Sequence, residues 1–487
     1  MDHARGRGRG GGAEVALLEQ DDPQTTPGGV TRHADPVQTA ANDRKIVIRH
    51  GQRLQRFRAK RIAVRVRTAL AERDVWLRIA PHLVRPLRFA IPAHSAERPP
   101  WLLRAGLLLY ERLSPRGDLP ASATVDVTHH PIGNALKRPF GTAFEYSDCV
   151  VDDSRLVITS AVDAAERGAD IRTGARCVRA DRLDVWRLAA IDRGHRRVIT
   201  ARALANTSGA WTASVAETIL RMPPPKLGAV RVSQIIVRRL FDTDNVYVLQ
   251  NSDRRLIFAS PYERDFTLIG SLSQTFRGDP AIVSMDAADV AYLCDAANRY
   301  FREHIDPSDV VATVSGANAV IDPAGRRRAM TFDARRGKAP LLTMFGGDVT
   351  TARLRAERAV SRLTPFYPMS PRWTAKTPLP GGDFAWSRFD DEVDAARERW
   401  RFLTEPQAQR LVAAYGSRLE AVLGAANSRA DLGPAFGPEL TGAEVRYLMT
   451  KEWARFPADI LWRRSKLGLT MPPADREALA VFMADQT

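Results

Sequence analysis

Gly6, Gly8 and Gly11 stand at the G-x-G-x-x-G spacing that, between a strand and a helix, wraps a phosphate in backbone N–H groups. Five residues precede Gly6, too few for a strand, and the run after Gly12 reads as a strand and not a helix, so residues 1–12 are expected to be Arg/Gly low complexity. The strand expected there is the apolar run 13–19, which closes on Glu19. A carboxylate at the C-terminal end of a strand is the group that accepts ribose hydroxyls in a dinucleotide-binding fold, although a strand-ending Glu is more often a solvated loop residue. Residues 44–67 carry ten Arg or Lys and no acid, a charge suited to nucleic acid or an anionic surface. Phe57 is their one aromatic and no finger, RRM or homeodomain pattern occurs, so a solvated segment is expected. His129 and His130 would point to opposite faces of a strand, and no other His or acidic cluster is spaced to complete a metal site with them. Hydrolase, zincin and P-loop patterns are absent, which leaves the nucleophilic and metal-assisted classes without a motif.

These residues need elements to position them. The 487 residues are 44% hydrophobic and 26% charged, enough for two or three domains with real cores. The formal net charge is +16, nearly all of it arginine. Cys149, Cys177 and Cys294 lie far apart with no C-x-x-C, which excludes a disulfide framework or a zinc site and makes a reducing compartment the default. No stretch is long and apolar enough for a membrane span, and the first twenty residues lack the apolar core of a signal peptide. A cytoplasmic chain is expected, associated with the inner face of the cell membrane if with any. Helical spacing runs over 62–83 and again over 101–113, whose Trp and Leu content makes it the most lipophilic surface candidate. Between 150 and 350, helical stretches at 155–167 and 285–301 alternate with β-rich runs at 198–206, 230–237, 246–249, 256–259, 266–269 and 341–345. That is α/β patterning with a large antiparallel component. Prolines crowd 365–380, Gly381-Gly382 comes next, and residues 388–487 carry helical periodicity almost alone.

Several long phrases carry a resemblance. They are Ala69–Val75 running on to Ile79-Ala80-Pro81-His82-Leu83, Phe144–Cys149 with Val151-Asp152-Asp153, Tyr247–Asn251, Phe345-Gly346-Gly347, Leu379–Gly382 and Leu461–Gly468. In this order and with few gaps, residues 69–487 resemble FAD-dependent glycerol-3-phosphate dehydrogenase, a respiratory flavoenzyme family. The resemblance implies a doubly wound, Rossmann-like FAD domain with an antiparallel substrate-side sheet, and an all-α C-terminal domain. It divides the chain into an altered N-terminal segment at 1–68 with a FAD-domain remnant at 13–22, an oxidoreductase body at 69–364, a linker at 365–387 and the helical domain at 388–487. It implies hydride transfer from glycerol 3-phosphate to FAD, with electrons passed to membrane quinone. Glu19 would hold the ribose. Asn206-Thr207-Ser208-Gly209-Ala210-Trp211 resembles the family's N-A-x-G-P-W turn, so Ser208 and Gly209, with Gly346, Gly347 and Thr350, would line the flavin.

The departures matter as much. The family's first strand, its Gly-rich turn and a Ser/Gly-rich flavin segment have no counterpart in residues 1–68, as translation of 23–68 in another reading frame would leave them. Little tightly bound FAD is therefore expected. Among substrate positions, Gln234 replaces a His, Asn318 an Arg and Asp348 a Lys, and Arg328 is the surviving candidate for a further Arg. Two lost charge-assisted hydrogen bonds, at about 1.5–3 kcal/mol each, weaken the hold on a phosphate roughly 10²–10⁴-fold. Two other readings thus stand beside the enzyme: a degenerate, non-catalytic relative, and a basic nucleic-acid-binding protein.

Overall fold

Along residues 228–238, Ser233, Ile235 and Val237 alternate with Gln234 and Ile236, the period-2 pattern of a strand with two distinct faces. In the structure, a computed structural model that describes residues 63–93, 99–113, 117, 119–137, 141–253, 255–320 and 330–486, this strand belongs to the largest layer of the body. The chain enters on α1 (63–79) and continues through β1 (Val84–Pro92), α2 (Pro100–Leu113), β2 (Ala123–Asp126), β3 (Thr142–Val151) and α3 (Asp153–Glu166). A meander of β4 (Arg176–Arg182), β5 (Trp186–Asp192) and β6 (His195–Ala201) leads to β7 (Leu204–Asn206) and the one-turn α4 (Thr212–Ser214). Next come β8 (Gly228–Arg238), β9 (Val246–Gln250), β10 (Leu256–Tyr262), β11 (Phe266–Thr275), α5 (Ala287–Asn298) and β12 (Ala312–Val320). The body closes with β13 (Met330–Asp333), β14 (Leu341–Met344) and α6 (Ala352–Val360).

Eight strands form one sheet in the order β12-β8-β11-β10-β9-β1-β3-β2, antiparallel except where β1 meets β9. Ile235, Val237, Tyr247, Leu249 and Ile269 face α5 and bury with its Leu293, Ala296 and Ala297. The other face packs Phe89, Tyr146, Val246 and Val248 against Leu107 of α2, and toward the β8–β12 edge it carries Gln234. A second, three-stranded sheet orders β13-β14-β7, with β14 and β7 parallel. These two are the described parallel strands of the Rossmann-like layer. The architecture is therefore a mixed-sheet α/β body carrying a helical C-terminal domain.

That domain consists of α7 (Phe389–Arg399), α8 (Glu405–Tyr415), α9 (Leu419–Leu423), α10 (Gly442–Lys451), α11 (Pro457–Asp459) and α12 (Pro473–Asp485), with a two-residue hairpin, Ala435–Phe436 against Leu440–Thr441. Thr404 caps α8 through Gln407, and Thr441 accepts from Glu444 at the start of α10. Its core of Leu411, Val412, Leu440, Val445, Leu448, Ile460 and Leu479 is its own. The junction with the body is polar and dry. Arg155 of α3 pairs with Glu452 at 2.5 and 2.9 Å, their side chains 4% and 2% exposed, and His82, 1% exposed, lies nearby with neither ring nitrogen partnered among the described residues.

One sequence expectation is corrected here, and one strand goes unread in the sequence. The run 198–206 is not one strand: it turns at residues 202–203 and joins two different sheets, β6 ending the meander and β7 pairing with β14. Strand β3 is hidden in the sequence because Glu145, Ser147 and Asp148 break the apolar pattern. Arg88 satisfies two of them, pairing with Glu145 at 3.2 Å and donating to Ser147 Oγ at 2.9 Å. Helices expected at 62–83, 101–113, 155–167 and 285–301 are found within a few residues of those bounds. The strand expected at 13–19, the low-complexity run expected at 1–12, Glu19, Arg328 and all of the basic stretch except its last few residues lie outside the described residues.

Candidate functional site

Strands β7 and β14 run parallel side by side, and each ends in a turn at its carboxyl end, the place where open α/β sheets hold ligands. After β7, the Asn206 side chain accepts from both the backbone N–H and Oγ of Ser208, at 3.2 and 2.6 Å, which fixes the bend. Gly209 then takes φ +58°, and the Gly209–Trp211 turn packs against β12. Thr212, fully buried, donates to the Gly209 carbonyl at 2.7 Å and reaches the Met344 carbonyl at 3.4 Å, so one hydroxyl couples both turns.

After β14, Gly346 and Gly347 take φ +51° and +135°, conformations that L side chains rarely adopt. A Cβ on Gly346 would stand 2.5 Å from the Ala319 carbonyl oxygen of β12, so only glycine lets this turn touch that strand. Asp348 Oδ1 accepts from the backbone N–H and the hydroxyl of Thr351, both at 2.7 Å, bracing the chain into α6. Its carboxylate is thus engaged at the helix start, which lessens the repulsion expected between Asp348 and a phosphate. Thr350 gives its carbonyl to the indole N–H of Trp76 at 2.8 Å and anchors α1.

Gln234 and Asn318 share a face of the large sheet. Gln234 pairs with Val314 and Asn318 with Val230, four residues away, which is about 13 Å along the strand at about 3.3 Å per residue. A ligand touching both must bridge that span through two side chains. Opposite Gln234 on β11 lies Gly270, where an added Cβ would fall 2.3 Å from Gln234 Cγ. The structure thus brings Ser208, Gly209, Gly346 and Gly347 together against β12, sets Asn318 next to that contact and places Gln234 further along the same face. No atom of Gln234 or Asn318 is basic, so both can orient a hydroxyl but neither can take its proton.

Two residues of α6 escaped sequence reasoning. Arg353 bonds Glu72 of α1 at 2.6 and 3.0 Å, Glu357 at 2.9 Å and Thr374 at 2.9 Å, tying helix, helix and linker together. Arg355 folds back onto the glycine turn: Nη2 donates to the Phe345 carbonyl at 2.8 Å, and the guanidinium fills the space beside Gly347 that a Cβ would need. Its Nε is buried without a partner among the described residues, and burial holds its pKa below the usual arginine value, with Asp348 pulling the other way. In sequence it is one arginine among several on a charged helix. No periodicity singles it out.

The glycines of the two turns leave backbone that would face the ring and sugar portions of a flavin nucleotide, and the Arg355 guanidinium lies in the space beside Gly347. Residues 63–486 contain no G-x-G-x-x-G, so the nucleotide's diphosphate is assigned to none of the described residues.

A family model described as FAD dependent oxidoreductase matches residues 3–352, beginning well ahead of the resemblance seen from residue 69. A second, described as the C-terminal domain of alpha-glycerophosphate oxidase, matches residues 372–484. The chain is 40% identical over 433 residues to a glycerol-3-phosphate dehydrogenase of Pseudomonas aeruginosa, covering 86% of this chain and 84% of that protein. It is 36% identical over 434 residues to the aerobic glycerol-3-phosphate dehydrogenase of Escherichia coli, covering 87% and 86%. It is also 38% identical over 424 residues to a D-erythritol 1-phosphate dehydrogenase of Brucella abortus, covering 85% and 84%. Among solved structures, the fold is similar to that of a glycerol-3-phosphate dehydrogenase from Bacillus halodurans complexed with FAD, with a TM-score of 0.68 at 20% identity, covering 86% of this chain and 81% of that one.

Proposed function

The chain belongs to the FAD-dependent oxidoreductase family, and from that premise we propose that it oxidises glycerol 3-phosphate, or a closely related polyol phosphate, to the corresponding ketone. The observation that carries this is identity of 36–40% over some 85% of the chain to proteins named for that reaction. The erythritol 1-phosphate relative at 38% keeps the substrate class at polyol phosphates. FAD, when bound, supplies the two-electron acceptor. The chain's own part is binding and orientation. The turns at Ser208-Gly209 and Gly346-Gly347 hold the cofactor's edge, while Gln234 and Asn318 hydrogen-bond the polyol hydroxyls. With an amide at position 234, the alcohol's proton leaves to solvent and not to a side chain on this strand, and a lower rate results.

The electron acceptor in this reading is a membrane quinone, and α2 is the element that reaches it. Trp101, Leu102, Ala105, Leu108 and Leu109 form one exposed stripe, with Trp101 70% and Leu109 58% exposed, and Arg112 continues it. An apolar stripe with a basic end on a chain of net charge +16 suits shallow insertion among anionic headgroups. Among the described residues no helix is long and apolar enough to cross a membrane. A second reading, the non-catalytic relative, draws on the neutral amides at 234 and 318. One experiment separates the two. Under the enzyme reading the purified protein carries flavin absorbance that anaerobic glycerol 3-phosphate bleaches. A preparation without flavin, or flavin that persists unbleached at millimolar substrate, supports the non-catalytic relative.

A further inference from the structure

We infer that Trp76 is the positioning residue that holds the turn after β14 in the shape that receives the cofactor, an assignment that rests on the flavin reading above. The turn needs such a hold. Gly346 and Gly347 take φ +51° and +135° in succession, and adjacent glycines give a chain so much freedom that the turn has many shapes unless contacts select one. Trp76 lies on α1, 8% exposed and in one buried cluster with Leu77, Ile79, Leu83 and Leu156. Its indole N–H donates to the Thr350 carbonyl at 2.8 Å, across 274 residues of sequence. The other side of the same peptide unit is held as well, since the N–H of Thr351 donates to Asp348 Oδ1 at 2.7 Å. A planar peptide gripped at both its C=O and its N–H cannot rotate.

Helix α1 meets the chain here at further points. Val349, next to Thr350, packs on the same apolar cluster, and one turn earlier on the helix Glu72 pairs with Arg353 at 2.6 and 3.0 Å, their side chains 7% and 8% exposed. The indole is the contact that fixes direction, because a hydrogen bond has a preferred line of approach and apolar packing has none. The Glu72–Arg353 pair joins side chains and leaves the backbone of the turn free. Trp76 acts through Thr350 and not on the flavin itself, so what it sets is the fraction of molecules whose turn is ready for the cofactor. The apparent dissociation constant scales inversely with that fraction. Gln234 and Asn318 stand on strands of the large sheet, and the polyol contacts are therefore independent of this clamp.

The test uses the full-length protein, stripped of flavin and titrated with FAD under conditions where every variant is folded. Trp76→Phe keeps an apolar ring and removes the N–H; Glu452→Gln, the control for general destabilisation, strands a buried charge at the junction with the helical domain and leaves the contacts of the turn intact. FAD should bind Trp76→Phe about 3- to 10-fold more weakly, the range of one neutral hydrogen bond, and Glu452→Gln within twofold of wild type. With FAD at saturation, Trp76→Phe should recover the visible flavin spectrum and the KM for glycerol 3-phosphate of the wild type, as a shift in population requires. Should Trp76→Phe fail to fold, hydrogen exchange on the wild type decides, since a clamp already in place makes the Thr351 amide exchange as slowly without FAD as with it. FAD affinity changed less than twofold in Trp76→Phe, an equal loss in Glu452→Gln, a spectrum still altered at saturation, or Thr351 exchange that slows more than tenfold on adding FAD would each overturn the assignment, as would a wild type that takes up no FAD. If FAD binding depends on Trp76 while glycerol 3-phosphate never bleaches the flavin, the functional reading falls and the positioning role stands. Bleaching with FAD affinity unchanged in Trp76→Phe defeats this inference alone.

Discussion

Glu452→Gln should destabilise the protein out of proportion to its size, because it removes a charge from the driest contact between the body and the helical domain. Arg155 donates to both Glu452 oxygens, at 2.5 and 2.9 Å, and to the Ala414 carbonyl at 2.7 Å, and its guanidinium lies 5.0 Å from the Tyr415 ring centroid. Arg464 in turn donates to the Glu452 carbonyl at 2.6 Å. With side chains 4% and 2% exposed, neither charge has water to fall back on. Two charges about 4 Å apart at an effective dielectric near 20 attract by about 4 kcal/mol, and breaking a buried pair from one side costs about 3–5 kcal/mol. The same reasoning makes Arg155→Met with Glu452→Leu far milder, within about 2 kcal/mol of wild type, since no charge is stranded. Urea unfolding of the wild type, Arg155→Met, Glu452→Leu and the double variant gives the coupling energy directly. Limited proteolysis at 365–382 should accelerate in Glu452→Gln as the two parts loosen. A Glu452→Gln cost under about 1 kcal/mol, or a double variant as unstable as the worse single one, would show that this pair is not what holds the junction.

His82 gives a pH signature. Burial, reinforced by the positive charge of Arg155, opposed by Asp383 and helped slightly by Arg418, lowers its pKa to about 3, so the folded protein keeps it neutral while the unfolded chain protonates near 6.5. Stability from this group is complete above pH 6.5 and is lost by about 1.4 kcal/mol per unit as pH falls toward 3; His82→Phe should flatten that slope, and an unchanged slope in urea midpoints would refute it. Gly270→Ala places a Cβ 2.3 Å from Gln234 Cγ and 3.0 Å from the Ser233 carbonyl, so it should cost about 1–3 kcal/mol and reorient Gln234, read as a lower thermal midpoint together with altered substrate binding. Introducing His at 234, Arg at 318 and Lys at 348 together should tighten phosphate-ester binding, but Asp348→Lys by itself should cost about 1 kcal/mol in thermal unfolding, because Thr351 loses its acceptor. Trp101→Glu with Leu109→Glu should abolish flotation with anionic vesicles while circular dichroism stays unchanged; retained flotation would move the contact elsewhere.

Local pattern carries much of this protein. The 3.6-residue periodicity of 63–79 and of the helices beyond residue 388 is written in neighbouring side chains, as are the prolines that crowd 365–380 ahead of Gly381-Gly382, because helices and chain breaks obey short-range rules. The long ordered phrases carried the family, and with it the expected flavin turns and the positions of Gln234 and Asn318. What sequence left undetermined depends on contacts between distant residues. Strand β3 reads as polar until Arg88 is placed beside Glu145 and Ser147. Asp348 reads as a charge opposed to phosphate until Thr351 is seen to hold it. Arg355 is indistinguishable from its neighbours along α6 until the backbone bends at Gly346-Gly347 and leaves a space without a Cβ for its guanidinium to enter. Charge is fixed by residue type, but what that charge does depends on burial and on partners that the chain supplies from far away, and only the tertiary structure decides those.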